Sequence, residues 1–187
     1  MLQIKHQILD ARGRAAGLKA ILGLDLTKAV DNVTHKAVLE NLRDLGVGRK
    51  AYTYVRDFLS NRTAKLTIGD IKSEKIELGS RGSVLSPFLF IVAMIGLPKI
   101  LDKIKGLNHG LYADDVTLWV TSGSEAQIEE TLQRAAEAVD RYATERGLSC
   151  SPQKSKLLLV YPTTRKKYGG TPSITIKANG GPIPIVN

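Results

Sequence analysis

Three aspartates stand where the sequence predicts strand ends. Asp25 closes the aliphatic run Leu18–Leu26, and the pair Asp114-Asp115 lies inside GLYADDVTLWV, a pattern that predicts two short strands joined at the aspartates. A carboxylate at a buried strand end loses solvation, and a cation offsets that cost. Hard oxygen ligands suit Mg²⁺, and two such ions about 3.5–4 Å apart promote in-line displacement at phosphorus. The alternative interpretation makes the aspartate pair a plain turn and Asp25 a helix-start residue.

The cysteine and histidine content limits which metals the chain could hold. Cys150 is the single cysteine, which excludes an intrachain disulfide framework and a zinc site built on several thiolates. The three histidines, His6, His35 and His109, are scattered along the sequence. We therefore expect any catalytic metal to sit on oxygen ligands.

The charge balance favours a polyanionic partner. The 187 residues carry 27 lysines and arginines against 18 aspartates and glutamates, a net charge of +9. That excess suits nucleic acid or an anionic membrane surface, although a merely solubilising surface is the alternative. The N-terminus has no apolar signal region, and the longest uncharged run, 82–98, is shorter than the roughly 20 residues of a spanning helix. The chain is therefore expected to be intracellular, without a membrane partner.

The elements that must position the aspartates alternate without a regular βαβ order. Helices are predicted after a Thr34 cap, over Arg49–Leu59, from Pro87 to about Leu101, and from a Ser124/Gln127 capping box to Gly147. Strands are predicted over Leu18–Leu26, in a hairpin over Thr63–Leu78, around the aspartate pair, and over Lys156–Tyr161. This order predicts an α+β domain, an antiparallel sheet with helices packed on one face.

Four short motifs follow one another in a fixed order. They are DLTKAVD from Asp25 to Asp31, GSVLSPFLF from Gly82 to Phe90, YADD from Tyr112 to Asp115, and Gly147-Leu148 with Lys154 shortly after. In this order they resemble the reverse transcriptases of non-LTR (LINE-type) retrotransposons, most closely those of arthropod genomes. The resemblance covers most of the chain, and four motifs in order are far more specific than any one tetrapeptide.

The resemblance implies a fold, a reaction and partners. The fold would be a reverse-transcriptase palm over 18–162, preceded in 1–17 by a remnant of the fingers and followed in 163–187 by a basic Gly/Pro-rich tail or a truncated connection to the thumb. The reaction would be RNA-directed DNA synthesis, a two-metal nucleotidyl transfer from deoxynucleoside triphosphates onto a DNA primer on an RNA template. Two Mg²⁺ (or Mn²⁺) ions would be the cofactors, and the nucleus would be the location.

The resemblance also assigns site residues. The catalytic and metal-binding groups would be Asp25, Leu26, Asp114, Asp115 and Lys154, with Lys154 as the proton donor to departing pyrophosphate. The nucleotide would meet Ala29, Val30 and Gly82, and the primer end would meet Tyr112. Alternatives exist for two of these residues, because Lys154 could be a solvated lysine and Val30 could fill a gap in the core.

The departures from the family pattern predict an impaired enzyme. The family's proline-glutamine-glycine run before SVLSP is missing, and Val30 replaces an aromatic residue five positions after the first aspartate. By the same resemblance, the fingers expected before Leu18 would be largely missing and the thumb expected after Tyr161 would be absent. The sequence thus predicts a palm-centred fragment whose polymerase activity is impaired, and the alternative is a non-catalytic, nucleic-acid-binding remnant of a decayed retrotransposon.

Overall fold

A computed structural model describes residues 8, 17–27, 33–60, 63–77, 85–161 and 174–186. It forms two compact units. The sheet unit comprises Met1–Thr27, Leu97–Thr144 and Ser149–Asn187, and the helical unit comprises Lys28–Gly96 and Glu145–Leu148. Within the described ranges, no helix has the length and apolar composition that crossing a membrane requires.

The strands and helices are numbered along the chain. The strands are β1 (Lys19–Thr27), β2 (Thr63–Ala64), β3 (Thr67–Ile68), β4 (Ile71–Lys72), β5 (Ile76–Glu77), β6 (Asn108–Tyr112), β7 (Asp115–Val120), β8 (Ser149–Val160), β9 (Lys177–Ala178), β10 (Gly181–Pro182) and β11 (Ile185–Val186). The helices are α1 (His35–Asp44), α2 (Arg49–Leu59), α3 (Ser86–Met94), α4 (Leu97–Leu101) and α5 (Glu125–Thr144).

The sheet unit is built around β1. Its five-stranded sheet has the order β11-β8-β1-β7-β6, in which the β8, β1, β7 and β6 neighbours are antiparallel and β11 runs parallel to β8. Alternate β1 residues, from Ala20 to Leu26, are buried, as a half-buried strand requires. Helix α5 packs against β1, β7 and β8. The predicted antiparallel sheet with a helix-covered face is therefore present, with one short parallel strand added.

Helix α5 covers the sheet because of its apolar stripe and its cap. The predicted capping box is confirmed: the backbone N–H of Ser124 donates to Gln127 Oε1 at 2.9 Å, and the N–H of Gln127 donates to Ser124 Oγ at 3.3 Å. The buried stripe recurs at helical spacing and consists of Ile128, Leu132, Ala135, Ala136, Ala138, Val139, Tyr142 and Ala143. This stripe forms one side of the core of the sheet unit.

The helical unit contains α1, α2 and α3. Thr34 caps α1 as predicted, accepting from the N–H of Ala37 at 3.4 Å. On the buried face of α1, Asn41 Nδ2 donates to the carbonyls of Val92 and Ala93, both at 2.9 Å. These bonds join α1 to the last turn of α3, where the Val92 carbonyl also accepts from the N–H of Ile95 at 3.4 Å and the Ala93 carbonyl also accepts from Arg146 Nε at 3.1 Å.

One predicted helix is corrected. The sequence predicts a single helix from Pro87 to about Leu101, but α3 ends at Met94 and α4 begins at Leu97. Gly96 disfavours helix, and Pro98 has no N–H to donate back to Met94, so a continuous helix would lose a bond at this point. The break assigns α3 to the helical unit and α4 to the sheet unit.

The predicted hairpin over Thr63–Leu78 is present through Glu77, with its turn at Gly69-Asp70. Gly69 has φ +59°, a left-handed conformation that glycine adopts without strain. The aliphatic side chains of the hairpin are exposed rather than packed, and they are Leu66, Ile68, Ile71 and Ile76.

Residues 174–186, here called the C-terminal strap, contribute strands that the sequence analysis did not predict. Asn179 and Gly180, at φ +45° and φ +72°, turn the chain from β9 into β10, and β11 then joins the main sheet. Along α5, Gln133 Oε1 accepts from the N–H of Lys177 at 2.9 Å, and Gln133 Nε2 donates to the Lys177 carbonyl at 3.2 Å. The Gln133 side-chain amide thus forms with the backbone of Lys177 the two hydrogen bonds that a neighbouring strand would form.

Candidate catalytic site

Asp25 and Asp115 are direct cross-strand partners on β1 and β7. Residues directly opposite in an antiparallel pair project from the same face, so both carboxylates lie on the face opposite the buried Leu24 and Leu26. The backbone N–H of Asp25 points toward β8, where it donates to Ser155 Oγ at 3.2 Å. Asp25 and Asp115 therefore form the non-hydrogen-bonded kind of pair, in which side chains are closest.

One oxygen of Asp25 is shielded from water. Asp25 Oδ2 accepts no hydrogen bond from the described residues, while the side chain as a whole is 24% exposed. The Lys154 ammonium lies 3.8 Å from this oxygen, close enough for an ion pair. A nearby cation stabilises an anionic oxygen in this position, because it compensates for the lost hydration.

A bulge in β8 brings Lys154 to Asp25. Gly23 pairs with Lys156 and Asp25 pairs with Ser151, so residues 152–155 oppose a single residue of β1. Ser155 closes the bulge: its buried hydroxyl accepts from the N–H of Asp25 and donates to the Ser151 carbonyl at 2.7 Å. Ser155 is a site residue that sequence reasoning missed, and the signal that could have located the bulge is Pro152, because proline within a sheet is confined to edges, strand starts and bulges.

The predicted hairpin of the YADD motif is present at the edge of the same sheet. Tyr112 pairs with Asp115, and Ala113-Asp114 forms the turn. Ala113 has φ +51°, which is unusual for a residue with a Cβ, and such strained positions cluster at functional sites. Asp114 is partly buried in the turn, and Tyr112 is 83% exposed beside it.

The side chain of Leu26 is buried in the core, so only its backbone could serve a metal. Its β8 partner, Cys150, is also buried. Burial, together with the neighbouring Asp140 carboxylate and the charge of Asp25, raises the pKa of the Cys150 thiol from 9.0 to about 12. This thiol stays protonated at physiological pH and belongs to the core.

The predicted nucleotide contacts Ala29, Val30 and Gly82 lie outside the described residues. In the part of the chain that is described, no three His, Cys, Asp or Glu side chains are arranged to hold a metal ion. The structure pairs Asp25 with Asp115 and leaves Asp114 in the adjoining turn. The donors are hard oxygens, one of them without a hydrogen bond, and Mg²⁺ commonly takes only one or two protein carboxylates. The residues present therefore fit a hard divalent cation in their chemistry.

The chain is similar in sequence to known reverse transcriptases and retrotransposon proteins. The family model "Reverse transcriptase (RNA-dependent DNA polymerase)" matches residues 3–175. The chain is 27% identical over 174 residues to the Pol polyprotein of retrotransposable element R2 from Nasonia vitripennis, covering 88% of this chain and 16% of the relative. It is 28% identical over 156 residues to a putative 115 kDa protein of element R1DM from Drosophila melanogaster, covering 81% of this chain and 15% of the relative. The chain thus spans about a sixth of these curated relatives.

Solved structures share the fold at low sequence identity. Apo telomerase from Candida tropicalis, truncated from its C-terminal domain, matches with a TM-score of 0.62 and 10% identity, covering 96% of this chain and 36% of the telomerase. Telomerase from Candida albicans in complex with a fragment of telomeric RNA matches with a TM-score of 0.56 and 14% identity, covering 97% of this chain and 35% of the other. The fold is therefore palm-like.

Proposed function

Because this chain belongs to the reverse transcriptase (RNA-dependent DNA polymerase) family, with relatives among insect non-LTR retrotransposon proteins, we propose that it carries the palm of an RNA-directed DNA polymerase. Its substrates would be a DNA primer on an RNA template and deoxynucleoside triphosphates. The observation that carries the proposal is the pairing of Asp25 with Asp115, next to the turn that contains Asp114.

Asp25, Asp114 and Asp115 would hold two divalent cations, with the Leu26 carbonyl as a further oxygen ligand. Bound Mg²⁺ would neutralise developing charge on the phosphate oxygens and orient the displacement. The chain itself would fix the positions of the carboxylates that bind the metal. Asp25 and Asp115 lie on neighbouring strands of one sheet, and the N–H of Asp25 is fixed by Ser155.

Lys154 and Tyr112 would complete the site. Lys154 would donate a proton to departing pyrophosphate, a role supported by the 3.8 Å between its Nζ and Asp25 Oδ2. Tyr112, exposed on the strand that leads into the turn, would contact the primer end. The net charge of +9 suits contacts with the phosphates of an RNA–DNA duplex.

We propose further that the isolated chain transfers nucleotides poorly. The Lys154 ammonium stands against Asp25, and no three-residue metal group is arranged among the described side chains. Transfer chemistry is sensitive to such placement, since an error of about 1 Å can cost on the order of a hundredfold in rate. Phosphate contacts tolerate looser geometry, so duplex binding would survive where synthesis is impaired. That is the second candidate function, a non-catalytic binding protein.

The test is primer extension by the full chain with an RNA template, a DNA primer and Mg²⁺ or Mn²⁺. We expect weak extension that is abolished in Asp25→Asn and Asp114→Asn. The matched control is Asp70→Asn, which removes an exposed carboxylate from the turn between β3 and β4 and should leave extension unchanged. Residual extension that persists in both site variants would exclude these aspartates as metal ligands.

A parallel binding titration separates the two functions. Affinity for an RNA–DNA duplex should fall steeply with salt, because phosphate contacts release counterions. Salt-dependent duplex binding without any primer extension would support the second candidate function, a non-catalytic binding protein. A chain that neither binds the duplex nor extends the primer would exclude the proposal.

A further inference from the structure

When no metal is bound, the negative charge of Asp25 must be stabilised in another way, which its proposed metal-binding role does not explain. Its Oδ2 is shielded from solvent and accepts no hydrogen bond from the described residues, and a second carboxylate, Asp115, stands directly opposite on the neighbouring strand. Like charges placed directly opposite each other in a sheet repel. Asp115 is exposed to water, whereas Asp25 Oδ2 is not, so without bound metal a positive charge supplied by the protein would stabilise Asp25.

The β8 bulge supplies that charge. A regular antiparallel ladder would place a single residue of β8 opposite Leu24, whereas four residues, 152–155, lie at that point, which is an insertion of three. Within the inserted segment, Lys154 is the basic residue, and its ammonium is 3.8 Å from Asp25 Oδ2. The neighbouring Lys156 instead places its Nζ 3.5 Å from the Gln153 carbonyl.

Ser155 anchors the bulge in this position. It is 1% exposed, and its hydroxyl bonds both the N–H of Asp25 and the carbonyl of Ser151. The contact that fixes the backbone of Asp25 thus also fixes the segment that carries Lys154. The ammonium itself remains on the surface, since the Lys154 side chain is 68% exposed and can move away.

We propose that Lys154 is a tethered counter-cation that occupies the cation position at Asp25 and must leave before a divalent ion binds there. This inference rests on the proposed function, because it assumes that Asp25 is a metal ligand. It assigns Lys154 a role before chemistry begins: the ammonium stabilises the empty site and weakens its affinity for metal. The exposed side chain can swing into solvent when the divalent ion arrives.

The experiment measures Mn²⁺ binding to the full chain by electron paramagnetic resonance, without nucleic acid or nucleotide. Lys154→Gln should tighten Mn²⁺ binding about three- to tenfold, the range expected for removing one partly screened ion pair and its repulsion of the metal. Lys156→Gln removes the same charge from the same strand without touching Asp25, and should change affinity less than twofold. Circular dichroism on each variant checks that the fold is retained.

A second variant keeps the two proposals distinguishable. Asp25→Asn should weaken Mn²⁺ binding if Asp25 is a ligand. If Asp25→Asn weakens binding while Lys154→Gln matches Lys156→Gln or weakens binding, the counter-cation role is wrong and the metal site stands. If Asp25→Asn binds Mn²⁺ like the unmodified chain, the metal-binding role of Asp25 fails, and the counter-cation role fails with it.

Discussion

The hydroxyl of Ser155 accepts a hydrogen bond from the backbone N–H of Asp25 at 3.2 Å, across the point where β1 and β8 lose register. In an unbroken ladder a backbone carbonyl would accept from this N–H. Ser155 accepts in its place, and its hydroxyl in turn donates a hydrogen bond to the Ser151 carbonyl. A side-chain hydroxyl thus replaces a backbone carbonyl as hydrogen-bond acceptor on β1, the strand that carries the candidate metal ligand.

Ser155→Ala should destabilise the sheet unit by about 1–3 kcal/mol, because it leaves the buried N–H of Asp25 without an acceptor. Urea unfolding measures the change. Ser151→Ala is the matched control, since it removes a hydroxyl from the same strand and keeps the carbonyl that Ser155 uses, and it should cost under about 0.5 kcal/mol. Equal losses in the two variants would show that Ser155 has no special role in the bulge.

Asn41→Ala should destabilise the helical unit by about 2 kcal/mol, since it deprives the carbonyls of Val92 and Ala93 of the amide that joins α1 to α3. Glu40→Ala, on the exposed side of the same helix, removes only a surface ion pair with Lys36 and should cost less than about 0.5 kcal/mol. Urea unfolding followed by circular dichroism compares them. A loss in Asn41→Ala no larger than that in Glu40→Ala would contradict the prediction.

Gln133→Ala should loosen the C-terminal strap without unfolding the sheet. It removes both bonds between the Gln133 amide and the backbone of Lys177. Hydrogen exchange at the Lys177 amide should accelerate about fivefold or more, as for the loss of roughly 1 kcal/mol of local stability. Glu130→Ala, at an exposed position of the same helix, is the control and should leave that amide unaffected.

The Cys150 thiol should resist modification in the folded chain. With its pKa raised to about 12, it holds on the order of a thousandfold less thiolate than an ordinary cysteine at the same pH. Labelling by a disulfide reagent at pH 8 should be slow in buffer and fast in urea. Fast labelling of the folded chain would contradict the burial and the raised pKa.

The Cys150 thiol also makes the free energy of unfolding depend on pH in the alkaline range. The folded chain keeps the proton up to about pH 12, whereas the unfolded chain releases it near pH 9. Folding stability should therefore fall as pH rises through this window. Cys150→Ala removes the contribution, so its stability should decline less steeply than that of the unmodified chain when both are unfolded in urea from pH 8 to 11.

The sequence predicted the strands and helices around the site better than the contacts within it. Asp25 and Asp114-Asp115 were placed at strand ends because aliphatic runs and turn residues are local signals. That Asp25 faces Asp115 depends on the register of two distant segments, which no local pattern encodes. The approach of Lys154 depends on a bulge, for which Pro152 is the one local signal, and a proline indicates neither the length of the bulge nor the contact that Lys154 makes.

In the C-terminal strap, by contrast, the sequence contains a hairpin-turn signal, but the composition of the surrounding segment favours a tail. Asn179-Gly180 is a typical two-residue hairpin turn, and both residues have positive φ. The surrounding glycines and prolines favoured a tail instead. The short strand β9 gains its stability from α5 and β8, and β10 pairs with β9; sequence periodicity cannot reveal such contacts for two-residue elements.

The parallel pairing of β11 covers part of the outer edge of β8. Ile185 and Val186 sit against Leu157 and Leu158, on the outer edge of the long strand β8. Without them, an aliphatic strand edge would offer its unpaired N–H and carbonyl groups to any neighbouring molecule, which is how sheets of separate chains join and aggregate. We therefore expect β11 to limit self-association: in light scattering, a chain cut ahead of Ile185 should form larger species than the intact chain at the same concentration.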